Sequence, residues 1–295
     1  MLDYDYYTTI RDELLDIYIK EGRKGVSDRL DINYNSTGHV LKYLGFYDKD
    51  VKDKKWEYFV EEMRKPRHKN PFIPFDKNSA YIFGFIVGDG CLLGNYRKHR
   101  TALDNGLDIS CNDFDIIHDI ALCFGTSGVV GDGYTSKKVY ENKNHHTTYS
   151  FRTEDYSCIE SLIKLGLRER KSYNGCVLNF PKEYYSHFLR GLFDADGYVK
   201  IDNKAKNPRV TFELCGHRSY LTQIVNDLDG MFDWKCDFRK ETLSFLRVFK
   251  QSEVERLYYW MYDDADLMIK RKFMAFYECF ERGRAYEQYR EYSTD

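Results

Sequence analysis

A chain of 295 residues has room for two or three domains. Its 42% hydrophobic and 17% aromatic content excludes a disordered tail, and it has no run of about 18 apolar residues that could span a bilayer. The net charge of −2 excludes general attraction to polyanions, so any nucleic-acid contact needs a locally basic face. The acidic start MLDYDYYTT lacks the pattern of a signal peptide, and a soluble, intracellular chain is expected. The eight cysteines are scattered singly, without C-x-x-C or a matching histidine pair. They are expected to be reduced and to pack as small apolar groups, with no structural zinc.

Thr9 to Phe46 reads as three short helices. Ile10, Leu14, Ile17 and Tyr18 recur at helical spacing, and Gly22 to Gly25 interrupts the run. A second helix covers about Val26 to Leu30. Asp31-Ile32-Asn33 then turns the chain, with Asn33 as N-cap of a third helix ending at Gly45. The pattern is that of a helix-turn-helix, whose last helix would offer Asn35, Ser36, His39 and Lys42 to a DNA groove. A small packing unit without DNA contact has the same pattern.

Residues 48–78 read as a basic linker. Asp48 to Lys55 is charged, a short helix is expected over Trp56–Met63, and Pro66, Pro71 and Pro74 oppose further helix. Arg67 and Lys69 could lie along a phosphate backbone, although a solvated linker would carry them equally well.

From Ser79 the chain repeats itself, dividing into halves of 79–180 and 181–295. Gly84-Phe-Ile-Val-Gly-Asp-Gly90 returns 107 positions later as Gly191-Leu-Phe-Asp-Ala-Asp-Gly197. Each copy precedes a strand-like stretch, Leu107–Cys111 or Val210–Cys215. A helical pattern follows, Phe114–Gly125 or Tyr220–Gly230. Ser150-Phe151 is matched to Ser244-Phe245, before helices at Tyr156–Leu165 and Ser252–Tyr262. Correspondence over about 100 residues indicates a tandem duplication.

As helices, the two repeats have a chemical consequence. Gly84 and Gly88 lie on one face, as do Gly191 and Ala195, so two nearly flat faces can pack closely. Gly90 and Gly197 suit a left-handed turn ending each helix. Asp89 and Asp196 then sit where the helix dipole disfavours a negative charge, and helix packing brings the two carboxylates together. Breaking a local rule twice, at equivalent positions, points to a functional site. A divalent cation such as Mg²⁺ relieves both penalties and also takes phosphate and water oxygens.

Phe188-Leu-Arg-Gly-Leu-Phe-Asp-Ala-Asp-Gly197 resembles the LAGLIDADG signature, departing mainly at Arg190 and Phe193. Ile82 to Gly90 is a looser copy, with Val87 and Gly88 in place of Asp and Ala. The resemblance covers about residues 79–280 and implies an α+β fold of tandem, pseudo-symmetric αββαββα halves. The motif helices would form their interface and the two sheets a saddle over DNA. It implies a homing endonuclease, active as a monomer, that cuts both strands of a long, imperfectly symmetric site and leaves short 3′ overhangs. Asp89 and Asp196 would hold Mg²⁺, with Mn²⁺ as substitute, beside Gly88 and Ala195. Lys171 and Lys272, each following the last helix of its half, would serve the reaction. Val87 stands where Asp194 does, so Asp194 is expected to be structural.

The DNA-facing strands should carry specificity. Candidates in the first half are Asn95, Tyr96, Arg97, Lys98, Arg100, Lys137, Lys138 and Arg152. In the second half they are Lys200, Lys204, Lys206, Arg209, Lys235, Arg239, Lys240 and Arg247. Competing readings are a non-cutting transcription regulator and an RNA-splicing maturase on the same fold. Retention of both motif aspartates disfavours the regulator. Met1 and the end Tyr292-Ser-Thr-Asp295 offer no splicing nucleophile or terminal His-Asn, so intein splicing is not expected.

Overall fold

Two helices at the centre are built for contact with each other. The computed structural model describes residues 2–65, 68–93, 106–140, 146–202 and 209–280. Within it, α5 (Lys77–Asp89) is buried on all sides from Ser79 to Val87, as a helix apolar around its circumference must be. Its start is fixed by a capping box, in which the Asp76 carboxylate accepts from Ser79 N while Ser79 Oγ accepts from Asp76 N. Its partner is α9 (Tyr185–Asp196). A Cβ at Gly84 would lie 2.0 Å from Phe188 O, and one at Gly191 would lie 2.0 Å from Tyr81 O. Each glycine thus seats the backbone of the other helix in a reciprocal, two-fold-like contact.

Each helix leads directly into a four-stranded antiparallel sheet. In the first half, α5 is followed by β1 (Gly90–Leu93), β2 (Gly106–Cys111), α6 (Phe114–Cys123), β3 (Thr135–Tyr140), β4 (His146–Thr153) and α7 (Tyr156–Lys164). The short α8 (Lys171–Asn174) completes it. The second half repeats the order with α9, β5 (Gly197–Asp202), β6 (Arg209–Gly216), α10 (Arg218–Asp227), β7 (Lys235–Asp237), β8 (Ser244–Val248) and α11 (Gln251–Tyr262). A last helix, α12, covers residues 270–280. Strand orders β1-β2-β4-β3 and β5-β6-β8-β7 are the same in both halves. The architecture is therefore the tandem αββαββα arrangement expected. One face of each sheet packs on helices, through Leu107, Ile109 and Phe151 in one half and Val210, Phe212 and Leu214 in the other. The opposite face is left uncovered by these helices.

Three sequence readings need correction. Gly90 (φ −76, ψ 152) and Gly197 (φ −91, ψ 158) are extended, not left-handed. They are glycines because a Cβ would strike the preceding turn, 2.7 Å from Ile86 O or 2.4 Å from Phe193 O, as the helix turns straight into strand. The match of Ser150-Phe151 with Ser244-Phe245 is one residue out. Ile109 pairs with Phe151 and Leu214 with Leu246, so Phe151 answers to Leu246 on the buried face and Phe245 lies on the other. Finally, α4 spans Lys49–Arg64 rather than starting at Trp56, because Val51 is buried as well.

The described chain forms two units, Met1–Pro66 and Arg67–Asp295. In the first, α1 (Tyr4–Thr9), α2 (Arg11–Leu30), α3 (Tyr34–Tyr43) and α4 surround Leu14, Val26, Val40, Leu41 and Phe46. Gly22 (φ 71, ψ −160) kinks α2 where the interruption was expected. Asn33 caps α3 by accepting from Asn35 N at 2.8 Å. Residues 68–76 belong to the second unit: Phe72 is buried there, and Lys69 N donates to Phe124 O at 3.1 Å. No helix of the described residues is long and apolar enough to cross a membrane.

Gly84→Ala is expected to cost about 2–3 kcal/mol in urea unfolding, since its methyl group meets a backbone carbonyl that cannot rotate away. A loss below about 0.5 kcal/mol would show that the helices are not in backbone contact.

Candidate active site

The reciprocal glycine contact continues to the ends of both helices. A Cβ at Gly88 would lie 2.3 Å from Ala195 Cβ and 3.4 Å from Asp196 Oδ2, so the last turns meet and bring Asp89 and Asp196 to one place. Both aspartates are half-buried, and among the described residues neither carboxylate accepts a hydrogen bond or forms an ion pair within 4.0 Å. Burial first, and then the Asp196 charge, push the Asp89 carboxyl up to about 6. Burial also raises that of Asp196, against the pull of Lys171 and Lys272.

Two lysines lie near the pair, one from each half. Lys171, the first residue of α8, donates to Gly90 O. Lys272, in α12, donates at 2.7 Å to each of Phe193 O, Asp194 O and Gly197 O, and is only 7% exposed. Gly90 and Gly197 are equivalent, so each lysine caps the end of its own motif helix. Burial lowers the pKa of both, and the aspartates nearby oppose that shift.

This donor set suits a hard divalent cation. It offers two carboxylates without protein partners, and no described side chain donates to Gly88 O or Ala195 O beside them. Among the described residues no three of His, Cys, Asp or Glu gather around a point. A Mg²⁺ ion held here would complete its shell with water and phosphate oxygens.

Asp194 has a different environment. Only 1% exposed, it accepts from Tyr81 OH and Ile269 N, both at 2.8 Å, and from Tyr262 OH at 3.4 Å. It joins the two motif helices to the chain that leads to Lys272. Arg190, fully buried four residues earlier, donates to Leu267 O at 2.9 Å and to Met261 O, and lies over the Tyr81 ring. Sequence reasoning noted Arg190 only as a departure from a signature. A cation inside an otherwise apolar helix was the available signal of a buried network.

Strand register sorts the candidate DNA contacts. On the uncovered face of the second sheet lie Lys200, Arg209, Lys235 and Arg247, with Thr211 and Glu213 between them. Arg247 pairs with Glu213, and Lys235 with Asp233 at 2.8 Å. Arg239 and Lys240 are exposed in the β7–β8 turn. In the first sheet Lys138 and Arg152 share the uncovered face with Ser110 and Ser150, whereas Lys137 points the other way, toward the Tyr149 ring. Adjacent strand residues cannot serve one face, so Lys137 and Lys138 cannot both belong to it. In the first unit Asn35, His39 and Lys42 are exposed along α3 and Ser36 is half-buried beside them. Lys69 is exposed. Arg67, Asn95, Tyr96, Arg97, Lys98, Arg100, Lys204 and Lys206 lie outside the described residues.

Comparison with known proteins gives one family match: residues 183–213, from α9 into β6, fit the LAGLIDADG-like domain. A DNA polymerase of Thermococcus hydrothermalis is 28% identical over 163 residues, which is 51% of this chain but 9% of the polymerase. Among solved structures, the meganuclease I-AabMI bound to uncleaved DNA aligns at 16% identity and a TM-score of 0.46, over 70% of this chain and 91% of its own. The homing endonuclease I-GzeII in complex with its DNA target aligns at 11% and 0.48 (71% and 90%). I-WcaI bound to its DNA recognition sequence aligns at 15% and 0.48 (71% and 88%). The architecture itself rests on this chain's own strand pairing and helix contact. The second motif is similar to that of the LAGLIDADG-like domain.

The paired carboxyls make stability depend on pH when divalent metal is chelated. Between about 4 and 6 the folded chain keeps a proton on Asp89 that the unfolded chain has released, so stability falls as pH rises through that window. Asp89→Asn is therefore expected to stabilise the chain by about 2 kcal/mol at pH 7 and scarcely at pH 4, in urea unfolding with EDTA. Equal stability of variant and wild type at pH 7 would mean that the carboxylate pays no penalty there.

Proposed function

We propose that this chain is a LAGLIDADG-type homing endonuclease, a metal-dependent hydrolase that cuts both strands of a long, imperfectly symmetric DNA site and leaves short 3′ overhangs. The observation that carries this reading is the pair Asp89 and Asp196, half-buried, without partners among the described residues, and brought together by a close-packed two-fold contact. Nothing in the stability of the fold requires two carboxylates there. The family match at the second motif supports the same reading.

Asp89 and Asp196, with the carbonyls of Gly88 and Ala195 beside them, would hold Mg²⁺ or Mn²⁺. The bound ion would lower the pKa of a coordinated water and neutralise charge on the phosphate. The remaining tasks fall to the chain itself. Two aspartates, one from each half, fix the reaction to the axis between the halves, so one chain supplies both halves of the site and can act as a monomer. The uncovered sheet faces would lie in the major groove, with Lys200, Arg209, Lys235 and Arg247 on one side and Lys138 and Arg152 on the other. Such local basic faces reconcile DNA binding with a net charge of −2. Asn35, Ser36 and Lys42 of α3 would extend the contact, and a DNA target places the work inside a cell. In each strand one water adds across a P–O bond, its oxygen going to phosphorus and a proton to the leaving oxygen.

The test is selection of cleaved sites from a random DNA library with Mg²⁺. One long site should be recovered, and Asp89→Asn or Asp196→Asn should slow its cutting by roughly 10³-fold, about 4 kcal/mol of transition-state stabilisation, while binding persists. Specific binding without cutting, in Mg²⁺ or Mn²⁺, would favour a transcription regulator that uses the helix-turn-helix-like unit.

The strand register makes a second, independent prediction. Lys138→Ala should weaken binding and reduce the slope of log K against log[salt] by about 1, whereas Lys137→Ala should change neither. Equal effects of the two would mean that the uncovered face is not the DNA face.

A further inference from the structure

The two lysines beside the aspartates occupy equivalent places in the duplicated fold, yet they are held differently. An ammonium group has three hydrogens to donate and nothing with which to accept. Lys272 directs all three to the carbonyls of Phe193, Asp194 and Gly197. Lys171 makes one such bond among the described residues, to Gly90 O, and is half-buried where Lys272 is buried.

The difference has its cause in the motif sequences. The segment leading to Lys272 is fastened from α9 by Arg190, on Met261 O and Leu267 O, and by Asp194, on Ile269 N. From the first half, Asp113 takes Arg271 at 2.9 Å and Asp115 takes Lys270 at 2.9 Å. The positions equivalent to Arg190 and Asp194 in α5 are Phe83 and Val87, which can donate and accept nothing. Among the described residues, no side chain of α5 fastens the chain leading to Lys171 in this way.

We infer that the two lysines have unlike duties: Lys171 is free to hydrogen-bond the DNA phosphate, and Lys272 is a positioning residue that fixes the end of α9 and hence Asp196. This inference rests on the endonuclease reading. It departs from the expectation that both lysines serve the reaction alike. A lysine already bonded to three carbonyls has no hydrogen left for phosphate or water unless it breaks away from the helix end.

Two experiments on the full chain test it. In brief reductive methylation followed by mass spectrometry of peptides, Lys171 should be labelled several times faster than Lys272, because one hydrogen bond rather than three must break to free its amine. In strand-resolved cleavage with Mg²⁺, Lys171→Met should slow one strand by roughly 10²-fold or more relative to the other, with the melting temperature within about 2 °C of wild type. Lys272→Met should instead lower the melting temperature by about 5 °C and raise the Mg²⁺ concentration needed for half-maximal rate, with the rate largely recovered at saturating Mg²⁺. Equal labelling of the two lysines would overturn the inference. So would a Lys272→Met protein that melts and responds to Mg²⁺ like wild type but has lost one strand's cleavage. A wild-type chain that cuts no DNA would overturn the endonuclease reading and Lys171's duty with it. Labelling and melting would then still decide whether Lys272 is a cap.

Discussion

The backbone contact between α5 and α9 is the constraint on which everything else in the second unit depends. Gly84 and Gly191 allow each helix to rest on a carbonyl of the other, at Phe188 and Tyr81. Side chains larger than hydrogen at those positions would hold the helix axes apart, and Asp89 and Asp196 would separate with them. The sheets are also tied to this contact. Each helix ends in an extended glycine that opens a strand, so the spacing of the helices sets the spacing of the two sheets. Glycine costs roughly 1 kcal/mol in a helix relative to alanine, a cost here offset by dense packing of two helices buried along most of their length.

That close approach creates the electrostatic problem which the lysines and the buried network answer. Two carboxylates at helix C-termini are disfavoured by burial, by each other and by the unpaired carbonyls around them. Lys272 satisfies three carbonyls of α9 and its neighbouring strand, and Lys171 one of β1. Neither forms an ion pair with Asp89 or Asp196 within 4.0 Å. The lysines neutralise the field without occupying the carboxylate oxygens, and the acids stay open toward solvent and ligand.

Much of this was legible because it is periodic. The repeat at 107 positions and the helix–strand–strand order showed the duplication, and glycines four apart showed which faces meet. Three limits were equally physical. Strand alternation has a period of two, so a match one residue out, Ser244-Phe245 for Ser150-Phe151, reverses the face assigned to every side chain. Basic residues look alike in a sequence whether they face water, an aromatic ring or a partner acid. Hence Lys137 and Lys138 appeared equivalent although the pleat separates them. The buried network of Arg190, Asp194, Tyr81 and Tyr262 depends on residues up to 181 positions apart, and no local pattern reports such a meeting.

That network also records how far the halves have diverged since they were copies. Tyr81 of the first helix answers to Phe188 of the second, so a twin of two second halves would place Phe188 where Asp194 now finds a phenol. It would bury two carboxyls short of a donor, while a twin of two first halves would have neither the acid nor the arginine. The duplicated halves have become complementary parts of one molecule.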